Sequence, residues 1–364
     1  MIKILQVLTD TNFGGAGMWL LNYLGSFDKT DYSITVALPP HSVLKEKAEK
    51  LGVTVEEVEG TADVSFSARS ISEYVKLIRR MKPDIIHTHA SLSARIAAKL
   101  CGVKTVNTRH CLEEKKRFPI NIAYRFINNV LSDAVIGVSE AVVKNLSDDG
   151  ISPKKLFLVY NGIFPLKEIS ESEKAHLKAE LGFSEDNIVA GIVARLEPVK
   201  GHGVFLDAAK YASEKNDKLR FIIAGTGSLE QELRAKAKEL GLSEKVVFLG
   251  YIEDVNKIYS IIDISVLSSV REALSLSVIE AMSLRKPAVV TDSGGTAEVV
   301  ENGVSGYVVE NGNSKELGSK IVMLSEDAAL RNKMGSEGIR IVKEKFTVEA
   351  MARKLEKVYS DILR

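Results

Sequence analysis

Cysteine is scarce in this chain: Cys101 and Cys111 are the only two in 364 residues. Their number excludes a disulfide framework and their spacing a paired metal-ligand motif, so a reducing, cytoplasmic setting is expected. Long hydrophobic runs are missing as well, none approaching the roughly 18 to 20 residues that cross a bilayer. The chain opens on Met-Ile-Lys-Ile-Leu-Gln-Val-Leu, a strand pattern rather than a secretory leader. Excess charge is absent: 49 Lys and Arg stand against 48 Asp and Glu, a net +1, and no strong field favours nucleic acid. A complete Gly-x-Gly-x-x-Gly is lacking too. Gly14-Gly15-Ala16-Gly17 comes near it, but no acidic residue closes the next strand where a dinucleotide ribose would need one. That argues against a nicotinamide dehydrogenase.

What the chain does contain is an alternation of short β-branched runs with helical periodicity, the pattern of parallel sheets joined by crossover helices. Its length suggests two domains of roughly 150 to 200 residues. A first series of strands is expected at residues 3–8, 33–38, 85–88, 104–107, 134–138 and 156–159. A second series restarts at 188–193 and continues at 219–224, 246–249, 262–266, 288–291 and 306–309. The expected fold class is α/β, with two doubly wound, Rossmann-like parallel-sheet domains whose ligands lie outside the strand carboxyl ends. The boundary falls between Asn161 and Ser172, giving domains 1–165 and 166–346. Up to Pro165 there are 21 basic and 17 acidic residues, hence +4; the remainder has 28 and 31, hence −3. This modest asymmetry suits a first domain that meets an anionic surface, and it also arises by chance.

Glu272 and Glu280 stand on either side of an expected helix start. Glu272 follows an apolar run and belongs to a loop at a strand's carboxyl end, while Glu280 falls in the period Leu276, Ile279, Met282, on the first turn. Between them the amides of Leu274, Ser275 and Leu276 form a helix N-terminus, which attracts phosphate. Two acceptors for sugar hydroxyls flanking an anion site suit a sugar nucleotide. A purely structural reading of Glu280 is equally open: Ser277-Val-Ile-Glu280 fits the capping box, in which the glutamate returns a bond to the N-cap amide.

The segment 269–298 resembles the signature of the retaining family 4 glycosyltransferases with the two-domain GT-B fold, whose paired glutamates are matched by Glu272 and Glu280. The resemblance implies that Glu272 meets hydroxyls of the donor sugar and Glu280 those of the nucleotide ribose. Ala273 and Ser275 depart from the commonest form of the motif, which bears on the sugar accepted. The resemblance also implies that the last helix, 347–364, crosses back onto the first domain, and that the two domains face a cleft. In Gly191 to Gly201 a strand ends at Arg195 and a Pro-containing loop returns Lys200, two cations where a diphosphate leaving group needs them. An exposed pair on a loop would read the same way; the family carries this pattern as its diphosphate clamp. No Asp-x-Asp occurs, the tripeptide by which the other main transferase fold holds a metal. Together with Arg195 and Lys200 this gives the expectation of a metal-independent mechanism, with no cofactor beyond the nucleoside diphosphate sugar as co-substrate.

In the first half, Gly14-Gly15 is either a plain tight turn or a place where amides approach the donor phosphate or the acceptor. Its position matches the Gly-Gly loop of the family's acceptor domain. His110 follows the fourth expected strand. A lone histidine is more often structural than catalytic, but the resemblance sets His110 against the donor sugar, with His89 as second choice. His87 and His89 lack the carboxylate or cysteine that would complete a metal site. In the second half, Gly225 and Gly227 look like the family's strand-end loop, and Leu249 through Tyr251 to Asp254 like the segment that holds the base. Lys115 to Phe126, mixing cations with aromatics, is the stretch least like the family. It reads as a solvated face or as an element resting on a membrane surface near a lipid-linked acceptor.

The expected protein is a retaining glycosyltransferase that moves a hexose or N-acetylhexosamine from a nucleoside diphosphate, UDP foremost, to a hydroxyl of a glycan or lipid-linked glycan in polysaccharide or cell-envelope synthesis. Its expected place is cytoplasmic, with peripheral membrane contact. A nucleotide-sugar epimerase of the same fold and a non-catalytic nucleotide-sugar-binding protein are the rivals. Transfer to an acceptor separates the first, and turnover the second.

Overall fold

In the computed structural model, which describes residues 1–11, 14–114 and 119–364, the chain divides into two units. One comprises Met1–Phe164 with Lys345–Arg364, the other Pro165–Glu344. The first carries β1 (Ile2–Val7), β2 (Tyr32–Leu38), β3 (Thr54–Glu57), β4 (Ile85–Thr88), β5 (Lys104–Arg109), β6 (Ala134–Gly137) and β7 (Leu156–Leu158). These form one sheet in the order β3-β2-β1-β4-β5-β6-β7, parallel at every pairing.

β3 is absent from the sequence expectation. Thr-Val-Glu-Glu has a single apolar residue, which suffices because an edge strand pairs on one side only. Its presence makes β5, not a fourth strand, the one that precedes His110. The central strands β4 and β6 are buried at every position, as a parallel sheet covered on both faces requires. Neighbouring residues of β1 serve opposite sides: Ile4 packs with Leu20, Tyr23 and Val36, whereas Leu5 packs with Tyr74, Leu77 and Ile86.

The carboxyl-terminal helix Val348–Leu363 belongs to this first unit. Met351, Leu355, Val358 and Tyr359, spaced along one helical face, join Trp19 and Tyr23 in its core. The chain re-enters through a bridge between Ile163 and Thr347. Gly162 makes that crossing possible, since a Cβ there would lie 2.4 Å from the Thr347 carbonyl oxygen.

The second unit carries β8 (Ile188–Val193), β9 (Leu219–Ala224), β10 (Val246–Gly250), β11 (Ile264–Leu267), β12 (Ala288–Thr291) and β13 (Gly306–Val309). Their order is β10-β9-β8-β11-β12-β13, again parallel throughout. β11 starts two residues later than expected. Asp263 is taken up in tying the strand starts together, its carboxylate accepting from Val189 N at 2.8 Å.

In each sheet the winding reverses at one place, between β1 and β4 and between β8 and β11. Loops leaving the carboxyl ends of two such strands diverge, and ligands of open α/β sheets bind there. Those loops carry Gly14 and His89 in the first unit, and Arg195, Lys200 and Glu272 in the second.

Gly162→Ala is expected to lower unfolding stability by about 1–3 kcal/mol, because the new methyl meets backbone rather than a movable side chain. Urea denaturation followed by circular dichroism measures it; an unchanged midpoint would mean that the crossing relaxes freely.

Candidate functional site

The second unit brings Lys200 and Glu272 into contact. Lys200 Nζ donates to Glu272 Oε1, and Ser269 Oγ donates to the same oxygen at 2.8 Å. The supporting backbone is bolted from both sides. Glu272 N donates to Ser293 O at 2.7 Å, and Val270 N to Val199 O at 2.8 Å. Ser268 Oγ reaches the carbonyls of Lys200 and Gly201 at 3.2 and 2.9 Å. The pair is therefore held in place by the ends of β8, β11 and β12, with only 20% and 10% of the two side chains exposed.

Arg195 lies two residues beyond the end of β8. Its side chain is exposed and bonds to no group among the described residues. Gly225 and Gly227 let the neighbouring loop close on this one: Cβ atoms would lie 2.0 Å from Ala194 O and 2.5 Å from Leu196 O. Gly225 N also donates to Gly250 O at 2.7 Å, which sets the end of β10 beside the same loop. Tyr251, next in the chain, is 71% exposed.

The helix Leu276–Ser283 starts earlier than the capping box requires. Its N-cap is Ser275, whose Oγ accepts from Val278 N at 3.4 Å. Ser277 is thus inside the helix and caps nothing, and the third helical residue is Val278 rather than a glutamate. Glu280 becomes the fifth helical residue, on the second turn and not the first. The amides of Leu274, Ser275 and Leu276 donate to no group among the described residues, as the first amides of a helix do.

Glu280 is half-buried, and desolvation of its carboxyl raises it from 4.5 to about 7. The Tyr259 hydroxyl lies against it yet completes no hydrogen bond of standard geometry among the described residues. A half-ionised carboxyl packed against a phenol has unused hydrogen-bonding capacity, which the capping-box reading would have consumed.

In the first unit His110 is not a lone histidine. His89 Nδ1 and His110 Nε2 are 2.8 Å apart, and the two rings stack with centroids 5.0 Å apart. His87 stacks on His89 at 4.8 Å, and Trp19 presents its ring edge-on to all three. Gln6, Thr108 and Tyr359 complete the cluster by hydrogen bonds. Burial pushes His87 and His110 down to about 3, helped by charge repulsion between rings and from Arg109; burial holds His89 well below its ordinary value too. All three are neutral at physiological pH. Just past His89, Ala90 adopts φ +80°, a strained turn for a residue with a Cβ. Asn107 and Ser65 hold it from either side, at 3.3 and 2.6 Å.

Comparison with known proteins decides what this arrangement belongs to. Residues 13–165 match the model described as Glycosyltransferase Family 4, and residues 173–341 that described as Glycosyl transferases group 1. The chain belongs to the family 4 glycosyltransferases. It is 28% identical over 313 residues to the UDP-Gal:alpha-D-GlcNAc-diphosphoundecaprenol alpha-1,3-galactosyltransferase of Escherichia coli, spanning 81% of this chain and 80% of that one. It is 27% identical over 307 residues to the N-acetyl-alpha-D-glucosaminyl L-malate synthase of Bacillus anthracis, spanning 80% and 78%. Among solved structures, Anabaena HepE in complex with UDP and glucose superposes with a TM-score of 0.86 at 24% identity, over 99% of this chain and all of that one. The fold is that of the GT-B glycosyltransferases.

In this family 4 glycosyltransferase the first motif glutamate, Glu272, meets the Lys200 loop although 72 residues separate the two. Gly14 is the N-cap of the helix Gly15–Leu24 and Gly15 its first residue. Beyond their chain neighbours and the helix's own backbone, no atom of the described residues lies within 4 Å of where their Cβ atoms would be, so packing among those residues does not demand glycine there. Asn12, Phe13 and Lys115 to Phe118 lie outside the described residues. Sequence reading overlooked Ser269, Tyr259, Gln6, Trp19 and Tyr359. Gln6 alone left a signal: it is the polar residue in the otherwise apolar run Ile4 to Leu8. His202 was overlooked as well; it is buried beside Lys200, neither ring nitrogen has a hydrogen-bond partner among the described residues, and burial holds it at about 4.

Glu280→Gln is expected to stabilise the ligand-free glycosyltransferase at pH 8 by roughly 2–3 kcal/mol. The folded chain holds the Glu280 proton more tightly than the unfolded chain. The stability this confers is complete below pH 4.5 and is lost as pH rises through about 7. Chemical denaturation at pH 5 and pH 8 checks the sign; a variant equally or less stable at pH 8 contradicts it.

Proposed function

We propose that this glycosyltransferase moves a hexose or N-acetylhexosamine from UDP to a hydroxyl of a lipid-linked glycan, with retention of anomeric configuration. The observation that carries the reading is the Lys200–Glu272 contact beside the unbonded amides of Leu274, Ser275 and Leu276. Cation, carboxylate and backbone N–H groups meet at one sheet end, where an anion and a polyol are recognised together. In this reading Lys200 and the exposed Arg195 take the diphosphate, and Glu272 turns from Lys200 to hydroxyls of the sugar. Glu280 accepts from the ribose, and Tyr251 with the main chain after β10 holds the base. Gly225 and Gly227 keep the Arg195 loop in place.

As the bond from the sugar's anomeric carbon to the diphosphate breaks, negative charge grows on the departing phosphate. In this reading Lys200, once released from Glu272, acts with Arg195 and the helix amides to stabilise that charge electrostatically. The acceptor oxygen bonds to the anomeric carbon on the face that the diphosphate leaves, and the acceptor proton passes to the departing phosphate oxygen. No step calls for a metal or a further cofactor. Gly14 and Gly15 leave backbone that a substrate can approach, and His110 contributes a contact to a substrate hydroxyl.

Two likenesses support the choice of UDP and of a lipid-linked acceptor: the E. coli relative is named for both, and HepE was crystallised with UDP and glucose. A feature of the first unit supports the acceptor independently. The helix Ile120–Leu131 exposes Ile122, Phe126 and Val130, spaced four apart, together with Ile120. Arg125 lies exposed beside them, and Lys115 to Arg117 precede them in sequence. An apolar stripe with basic flanks suits an anionic membrane surface. Among the described residues no helix is long and apolar enough to cross a membrane. The contact we propose is peripheral, at the cytoplasmic face.

Three outcomes test the reading. In the presence of EDTA, one UDP-sugar should raise the melting temperature in proportion to RT ln(1 + [L]/Kd), and GDP-, ADP- and dTDP-sugars should not. Lys200→Ala should lower turnover about 10²-fold or more with that donor; unchanged turnover would dissolve the assigned clamp. Ile122→Asp with Phe126→Asp should weaken co-sedimentation with anionic phospholipid vesicles about tenfold. Equal sedimentation of both proteins would point instead to a solvated face.

A further inference from the structure

We infer that Gln6 and His89 are positioning residues that fix His110 as a hydrogen-bond acceptor for a substrate hydroxyl. The inference rests on the reading of His110 as a substrate contact and adds what sets its chemistry. Gln6 of β1 stands opposite His87 of β4 in register. His89, two residues on, points to the same side, and Thr108 and His110 occupy alternate positions at the end of β5.

The polarity of the cluster can be followed bond by bond. Gln6 Nε2 donates to the Tyr359 hydroxyl at 2.9 Å and also faces His87 Nδ1 at 3.3 Å. The Tyr359 hydroxyl donates onward to His87 Nδ1 at 2.6 Å. That leaves the His87 proton on Nε2, where it bonds Thr108 Oγ1 at 2.7 Å. With its amide nitrogen turned this way, Gln6 presents Oε1 to His89 Nε2 at 3.2 Å. A carbonyl oxygen only accepts, so His89 Nε2 carries the proton and His89 Nδ1 is bare. His110 Nε2, 2.8 Å from that bare nitrogen, must donate.

His110 is neutral, so a proton on Nε2 leaves a lone pair on Nδ1. That atom is buried and has no partner among the described residues. An acceptor that the chain leaves unsatisfied is completed by a hydroxyl that donates. Gln6 is the junction, since one orientation of one amide dictates the tautomer of His87 on one side and of His89 and His110 on the other. Trp19, edge-on at 4.9 Å from His89 and 5.7 Å from His110, restrains both rings.

Long-range proton–nitrogen correlation spectra of the full-length, nitrogen-15 histidine-labelled protein read the polarity directly. The wild-type spectrum should show His110 protonated at Nε2 and bare at Nδ1; a protonated Nδ1 overturns the inference without recourse to any variant. Gln6→Met keeps the volume and removes Oε1. It should give His110 a mixture of tautomers and lower kcat/KM about tenfold, the worth of one neutral hydrogen bond. Tyr359→Phe also strips a polar group from this core, but His87 Nδ1 remains to accept the Gln6 amide proton, so His110 should keep its tautomer. A tautomer unchanged in Gln6→Met, or scrambled equally in both variants, contradicts the relay. If the spectra are as expected but His110→Ala transfers sugar as fast as the wild type, the substrate hydroxyl is wrongly assigned, and the fault lies in the reading of His110 rather than in the polarity.

Discussion

A parallel sheet covered on both faces leaves its polar chemistry to the strand ends. In this chain that constraint operates twice. β4 and β6 in the first unit, and β11 and β12 in the second, are buried at every position, and their first and last residues hand over to polar loops. Where strand order reverses, two such loops part company and their backbone amides and side chains turn toward a common space. The Lys200–Glu272 contact is the product of that geometry in the second unit; in the first, His89 stands at the reversal and meets His110 from the end of the neighbouring β5.

The two places use electrostatics in opposite ways. In the second unit an ion pair is kept on the verge of solvent, with the exposed Arg195 close by in sequence and an electropositive helix start. Such a pair has a partner to exchange: in the proposed reading, a polyanion that separates Lys200 from Glu272 releases a carboxylate for sugar hydroxyls. In the first unit burial strips the charge from three histidines, and direction is carried by hydrogen bonds alone. Tyr359 joins that network from the far end of the chain. The helix Val348–Leu363 therefore does more than cover apolar surface; it also presents a hydroxyl to Gln6 and His87.

Most of the fold was legible because parallel strands buried on both faces write themselves as continuous apolar runs. Five of the six second-unit strands start at the residue expected, and β3 escaped because an edge strand can be polar. Of the site, the motif residues Arg195, Lys200, Glu272 and Glu280 were legible through family pattern, with their neighbourhoods hidden. Nothing in the spacing of Lys200 and Glu272 says that they touch, because a contact across β8 and β11 depends on strand order. Ser277 and Ser275 offered two possible caps, and only the backbone of Ser275, extended where Ser277 is helical, decides between them. The histidine cluster was hidden for the same reason: Gln6, His89, His110 and Tyr359 come from four elements, and single-residue priors treat each histidine alone.

The most direct test of the central claim is a calorimetric titration of UDP into three proteins in EDTA: the wild type, Lys200→Met and Glu272→Gln. If Lys200 is a diphosphate ligand that Glu272 holds in reserve, Lys200→Met binds UDP at least about tenfold more weakly, the loss expected for one charge-assisted contact. Glu272→Gln, relieved of the competing carboxylate, binds UDP as tightly as the wild type or more so, while its sugar transfer falls. Equal affinity in all three proteins would contradict the account and reduce the Lys200–Glu272 contact to a structural ion pair.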